Sequence, residues 1–229
     1  MRSSATRLRL IVATDRRLAA PRDVVQVVGD ALRAGCPAVQ LREKEFPPRD
    51  ILPLAHAVRR ATHDAGALLV VNDRLDVALA VGADGVHLGP DDLPVAHARE
   101  LAPPGFLIGY SASTVARAQS AIASGADYIG CGPVFPTTTK PDAGSAIGVA
   151  RLARIAKAVD APVVAIGGIT PDNAPAAIHA GAAGVAVISA VMTAADHRAT
   201  TSRLLAATEA PIQRRPQMAY PHTTRAPRG

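Results

Sequence analysis

Short, almost wholly apolar runs alternate with longer stretches in which apolar residues recur every three or four positions. Leu8–Ala13, Ala67–Val71, Phe106–Tyr110 and Pro162–Ile166 are runs of the first kind. Asp23–Ala34, Arg49–Ala65, Val115–Ser124 and Val149–Val159 are stretches of the second. A strand covered on both faces by helices is apolar throughout, whereas a helix packed on one side shows a 3.6-residue period. The alternation therefore predicts parallel strands joined by helical crossovers.

A repeat sets the number of units. The pattern small–Gly–small–x–x–apolar occurs at Ala34–Val39, Val81–Val86, Ser124–Ile129 and Ala180–Val185. Each time a helical stretch precedes the glycine and an apolar run follows. That is the grammar of a helix stopped by glycine and followed at once by a strand. Each interval between these glycines holds two βα units of ordinary length. Four strands follow the glycines and the four runs above lie between them. Eight βα units in 229 residues predict a single α/β domain, a closed (β/α)8 TIM barrel over residues 1–209. The competing arrangement is a doubly wound open sheet, but no Gly-x-Gly-x-x-Gly follows the first strand.

Composition adds exclusions. The chain has no run of 18 apolar residues and no signal-peptide pattern at its start, so the expectation is a cytoplasmic protein with no membrane partner. The formal net charge of +6 is concentrated near the end, where Arg214, Arg215, Arg225 and Arg228 stand without an acid. Residues 210–229, basic and rich in Pro, are predicted to be a disordered tail. Truncation after Glu209 is expected to leave melting temperature and turnover almost unchanged; a marked fall in either would show that the tail docks on the barrel. Aromatics are 3% of residues and Trp is absent, so the stacking platforms of a nucleic-acid binder are missing. Cys36 and Cys131 lie far apart with no Cys or His at ligand spacing, which predicts buried free thiols. His56, His63, His97, His179 and His197 fall on helical patterns and are expected at the surface.

In such barrels chemistry gathers where strands end. The second strand ends Gln40-Leu41-Arg42-Glu43-Lys44, and alternation puts Gln40, Arg42 and Lys44 on one face. The third ends Asn72-Asp73 and the fourth His87-Leu88-Gly89-Pro90-Asp91-Asp92. Carboxylates on adjacent strand ends can share one cation, and Mg²⁺ typically takes one or two carboxylates plus phosphate oxygens. Zn²⁺ is disfavoured because no His/Cys cluster has its spacing. The fifth ends in the hydroxyls of Ser111, Ser113 and Thr114. After the sixth comes Thr137-Thr138-Thr139-Lys140, an anion clamp in composition and long enough for a lid. Gly167-Gly168 after the seventh, with Ser189 after the eighth, fits the phosphate site common to these barrels.

Singly, each feature has an ordinary alternative. Arg42 and Lys44 could pair with Glu43 and Glu45 at the surface. Asp73, Asp92 and the hydroxyls after the fifth strand could cap helices. His87, on an alternating strand, fits a satisfied interior histidine better than a base. Together, two cations, two carboxylates, a Thr/Lys loop and a Gly-Gly loop at one end of one barrel predict two anion sites, one of them metal-assisted.

These motifs, with Asp84–Gly89 and Ala165–Ile169, resemble the thiamine-phosphate synthase family, in family order from Leu10 to Met192. The resemblance implies a transferase that joins a hydroxymethylpyrimidine diphosphate to a thiazole phosphate and releases diphosphate. It implies that Gln40, Arg42, Lys44, Asn72 and Lys140 hold the diphosphate, and that Asp73 and Asp92 bind Mg²⁺. Ser111 would sit near the pyrimidine and leaving group. Thr137, Thr139, Gly168, Val187 and Ser189 would surround the thiazole phosphate. Lys140, Ser111 and Arg42 would carry the catalysis. Two residues depart from the family pattern: Pro90 stands where Gln is usual and Ser113 where His is frequent. The related thiazole tautomerases use a His at the latter position and often lack the full metal and clamp set. Asp92 and the Lys140 loop, without that His, favour the synthase. Another phosphate-binding barrel, or a non-catalytic binder of thiamine precursors, remains as an alternative.

Overall fold

The computed structural model describes residues 7–139 and 144–209. The anticipated tail, 210–229, and Lys140 lie outside the described residues. The eight strands are β1 Leu10–Ala13, β2 Ala38–Leu41, β3 Leu68–Asn72, β4 Gly85–Leu88, β5 Leu107–Ser111, β6 Tyr128–Cys131, β7 Val163–Ile166 and β8 Gly184–Val187. All pair in parallel in chain order, and β8 returns to β1 to close the barrel. Closure leaves no unpaired edge. The chain is a single (β/α)8 barrel, as the alternation predicts.

The helical periods map onto Val24–Arg33, Pro48–Asp64, Val115–Ala123 and Gly148–Ala158, within two residues of expectation at each end. Their starts follow local chemistry. Asp23, for example, accepts from the backbone N–H groups of Val25 and Gln26 at 2.6 and 3.3 Å. The stops follow the repeat: Gly35, Gly82, Gly125 and Gly181 all have φ between 62° and 104°, a region closed to most side chains. Two four-residue helices were not legible in the sequence, Arg16–Ala19 after β1 and Ser189–Met192 after β8. One turn is too short to show a period.

The core has two parts. Outward-facing strand residues such as Val39, Leu69, Val86, Ile108 and Ile129 pack under the helices. Inward-facing Ile11, Ala38, Leu68, Tyr128, Val164 and Ala186, with Leu8, form a separate cluster that fills the barrel. Both cysteines are buried free thiols, and burial pushes Cys36 up to about 11 and Cys131 up to about 12. One surface expectation is corrected: His197 is 4% exposed. It opens the helix His197–Ala207, which packs against Val24–Arg33, and it shares the buried side of that helix with Thr201, Leu204 and Leu205. Among the described residues no helix is long and apolar enough to cross a membrane.

Candidate active site

A cavity of about 420 Å³ opens where the strands end. It is lined by Lys44, Asn72, Asp73, Asp92, Ser111, Thr137, Thr139, Gly168, Val187 and Ser189, all singled out in the sequence. Gln40 and Arg42 do not line it. The strand stops at Leu41, so strict alternation ends before Lys44. Gln40 is buried at 5% exposure. Arg42 is drawn toward the end of β1, where its backbone N–H donates to Thr14 Oγ1 at 2.9 Å and its Nη1 meets Asp15 Oδ2 at 3.3 Å. Its Nε is buried without a hydrogen-bond partner among the described residues.

The surface-pair alternative for these cations does not hold. Glu43 pairs with Arg16 at 3.0 Å and Glu45 pairs with Arg17. Burial pushes the Glu43 carboxyl above its ordinary value, against the opposing pull of Arg16. Lys44 Nζ instead stands 3.9 Å from Asp73 Oδ2, so the cation and the carboxylate share the cavity wall.

The capping alternative for the carboxylates fails too. The helix Leu75–Ala80 has Arg74 at its N-cap and the helix Val95–Leu101 has Pro94, neither with a side-chain cap. Asp73 has φ 64°, the one positive value for a non-glycine among the described residues. Its N–H donates to His87 O at 2.8 Å, which pins the strained residue to β4. Such strain costs about 1–3 kcal/mol and gathers at functional sites. Asp92 Oδ2 accepts from Gly89 N–H at 2.6 Å, which closes the turn after β4 and fixes that carboxylate in place. Asp91 lines the cavity as well. Among the described residues no cluster of three His, Cys, Asp or Glu could hold a metal on its own.

Behind Ser111 runs a chain of hydrogen bonds. Ser111 Oγ is 2.9 Å from His87 Nε2, and His87 Nδ1 is 3.0 Å from the Tyr128 hydroxyl. His87 is thus an interior histidine bonded at both ring nitrogens, as its alternating strand indicates. Neighbouring strands make room by carrying glycine. A Cβ on Gly109 would stand 2.1 Å from Tyr128 Cζ, and one on Gly130 would stand 2.7 Å from His87 Cε1. Of the hydroxyls after β5, only Thr114 caps the next helix, accepting from Arg117 N–H at 3.3 Å; Ser111 and Ser113 line the cavity.

The far wall joins three loops. Thr139 Oγ1 donates to Ser189 Oγ at 3.1 Å, linking the Thr-rich loop after β6 to the helix that follows β8. Phe135 N–H donates to Gly167 O at 3.0 Å, and Asn173 Nδ2 donates to Gly168 O at 2.8 Å. A Cβ on Gly168 would come within 2.5 Å of Pro136 O, so only glycine lets these backbones meet. Sequence reasoning missed Arg117, a second cation on the wall, and the Tyr128–His87 chain. The signal for the chain was present in Gly109 and Gly130, since glycine inside a strand marks a close approach.

The family model described as thiamine monophosphate synthase matches residues 10–191. A thiamine-phosphate synthase of Moorella thermoacetica is 51% identical over 195 residues, covering 85% of this chain and 93% of that protein. One of Methanoculleus marisnigri is 52% identical over 195 residues, covering 85% and 92%. The solved structure of a thiamine phosphate pyrophosphorylase from Pyrococcus furiosus superposes with a TM-score of 0.84 at 45% identity, covering 90% of this chain and 98% of that one.

Proposed function

This chain belongs to the thiamine monophosphate synthase family, and we propose that its strand-end cavity joins 4-amino-2-methyl-5-hydroxymethylpyrimidine diphosphate to a thiazole phosphate. The protein is a thiamine-phosphate synthase, a transferase of thiamine biosynthesis. In the transfer, the bond from the pyrimidine methylene carbon to the diphosphate oxygen breaks and the oxygen keeps the electron pair. The aminopyrimidine ring stabilises the cation left on carbon, and the thiazole nitrogen supplies the pair that forms the new C–N bond. Neither step needs a strong base or a protein nucleophile. The protein's part is to neutralise the leaving group and hold the partners in line.

The observation that carries this reading is a single cavity lined by Asp73 and Asp92, neither of which caps a helix, with a lysine beside Asp73 and a glycine-built wall opposite. Lys44 and Asn72, with Lys140, take the diphosphate. Gln40 is buried and Arg42 pairs with Asp15, both outside the cavity lining; Arg42 Nε, a buried donor with no partner among the described residues, is available to an anion once the side chain turns toward it. Ser111 meets the pyrimidine and the leaving group. Thr137, Thr139, Gly168, Val187 and Ser189 receive the thiazole phosphate, matching the site that (β/α)8 barrels build after their last two strands.

Asp73 and Asp92 would hold Mg²⁺. A pair of carboxylates, with no cluster of three His, Cys, Asp or Glu among the described residues, suits a hard cation that draws its remaining oxygens from substrate and water. Bound there, Mg²⁺ would supply positive charge against the diphosphate.

Diphosphate release by the purified protein tests the reading. Release is expected only with both precursors present, one diphosphate per thiamine phosphate formed. EDTA should reduce it to background and added Mg²⁺ restore it. Isomerisation of a thiazole without diphosphate release would assign a tautomerase. Binding of both precursors without turnover would assign a non-catalytic barrel.

A further inference from the structure

We infer that Tyr128, through His87, sets Ser111 as a hydrogen-bond donor toward the cavity, so that Tyr128 and His87 are positioning residues for the transfer. The inference rests on the role proposed for Ser111 and adds His87, which lines the cavity beside it, and Tyr128, which lies in the barrel interior.

Two directions of hydrogen bonding fit the distances along Tyr128–His87–Ser111. In one, the Tyr128 O–H donates to His87 Nδ1, so the imidazole proton sits on Nε2 and is donated to Ser111 Oγ. The serine O–H then has the cavity as its direction. In the other, His87 Nδ1–H donates to the tyrosine oxygen and Ser111 donates to Nε2. The serine would then offer the cavity only lone pairs.

Burial decides between them. Tyr128 is 1% exposed, and among the described residues its hydroxyl bonds to His87 alone. In the second direction the phenolic proton has no acceptor and bears the full desolvation cost of an unmade bond. In the first it is used, and only an oxygen lone pair is left over, which is the cheaper omission. Burial also pushes the phenol far above its ordinary value, so the proton stays in place. At the other end, Ser111 lines the cavity and has the same choice settled for it by the ring. A diphosphate presents acceptors only, so a serine held as donor is the useful state. Gly109 and Gly130 serve the same end, since a Cβ on either would enter the space of His87 or Tyr128.

Nitrogen-15 NMR of the imidazoles in the substrate-free protein reads the direction, with His87→Gln identifying the signal among seven histidines. The expected result is Nδ1 bare and Nε2 protonated; a proton on Nδ1 overturns the inference. Kinetics on the Mg²⁺-loaded enzyme give the second reading. Tyr128→Phe keeps the ring and removes the donor. It should slow the single-turnover step roughly tenfold, the order seen when a group behind a contacting residue is lost. The KM for the pyrimidine diphosphate should stay within about twofold. In a Ser111→Ala background the same change should cost less than about twofold, because the serine it positions is gone. Equal slowing in both backgrounds, or a rise in KM alone, overturns it. If Ser111→Ala itself reacts at the wild-type rate, the role proposed for Ser111 fails, while the NMR result still decides the direction of the chain.

Discussion

Asp73→Asn and Asp92→Asn should each lower kcat/KM by roughly 10²–10³, the usual cost of removing one charge-stabilising group, while the melting temperature moves by no more than about 2 °C. The separation follows from the local structure. Asp73 holds φ 64°, and Asn is among the residues that best tolerate that region, so the backbone loses nothing by the change. Asp92 accepts from Gly89 N–H, and an amide oxygen can accept the same bond. Neither residue caps a helix. What both variants lose is the negative charge. Turnover against Mg²⁺ concentration and thermal unfolding, measured on the same preparations, check the claim. A fall in stability matching the fall in activity would return both residues to a structural role.

Gly109→Ala should be among the damaging single methyls in the barrel. Its Cβ would lie 2.1 Å from Tyr128 Cζ and 2.5 Å from His87 Nδ1, and Tyr128 has no open space to retreat into. Overpacking of this kind costs about 3 kcal/mol or more, which lowers the melting temperature by roughly 6–12 °C in a domain of this size. Gly82→Ala is the control. Its Cβ would meet nothing within 4 Å, although its φ of 62° remains unfavourable. That change should cost only about 1 kcal/mol. Thermal unfolding of the two variants side by side should show the difference, and equal losses would mean that backbone conformation, not interior space, governs Gly109.

Much of the fold was legible because its rules are local. The apolar runs became strands, and the repeat glycines became helix stops with positive φ. The strand-end residues were legible in kind, but their exact aim was not. Arg42 turns to Asp15 because β2 ends one residue before it, and the end of a four-residue strand depends on neighbouring chains. His197 is buried although its helical pattern reads as surface, because the inward side of a helix is set by what it packs on. The chain from Tyr128 through His87 to Ser111 joins residues 41 and 24 positions apart in sequence. No periodicity reports such a meeting; only the glycines that vacate space for it leave a trace.

The apolar plug of Ile11, Leu68, Tyr128, Val164 and their neighbours also governs traffic. It fills the barrel's axis below the strand-end cavity, so among the described residues that cavity opens at one end only. Both reactants must enter, and both products must leave, through the same opening between the strand-end loops. Diphosphate and thiamine phosphate therefore share one passage.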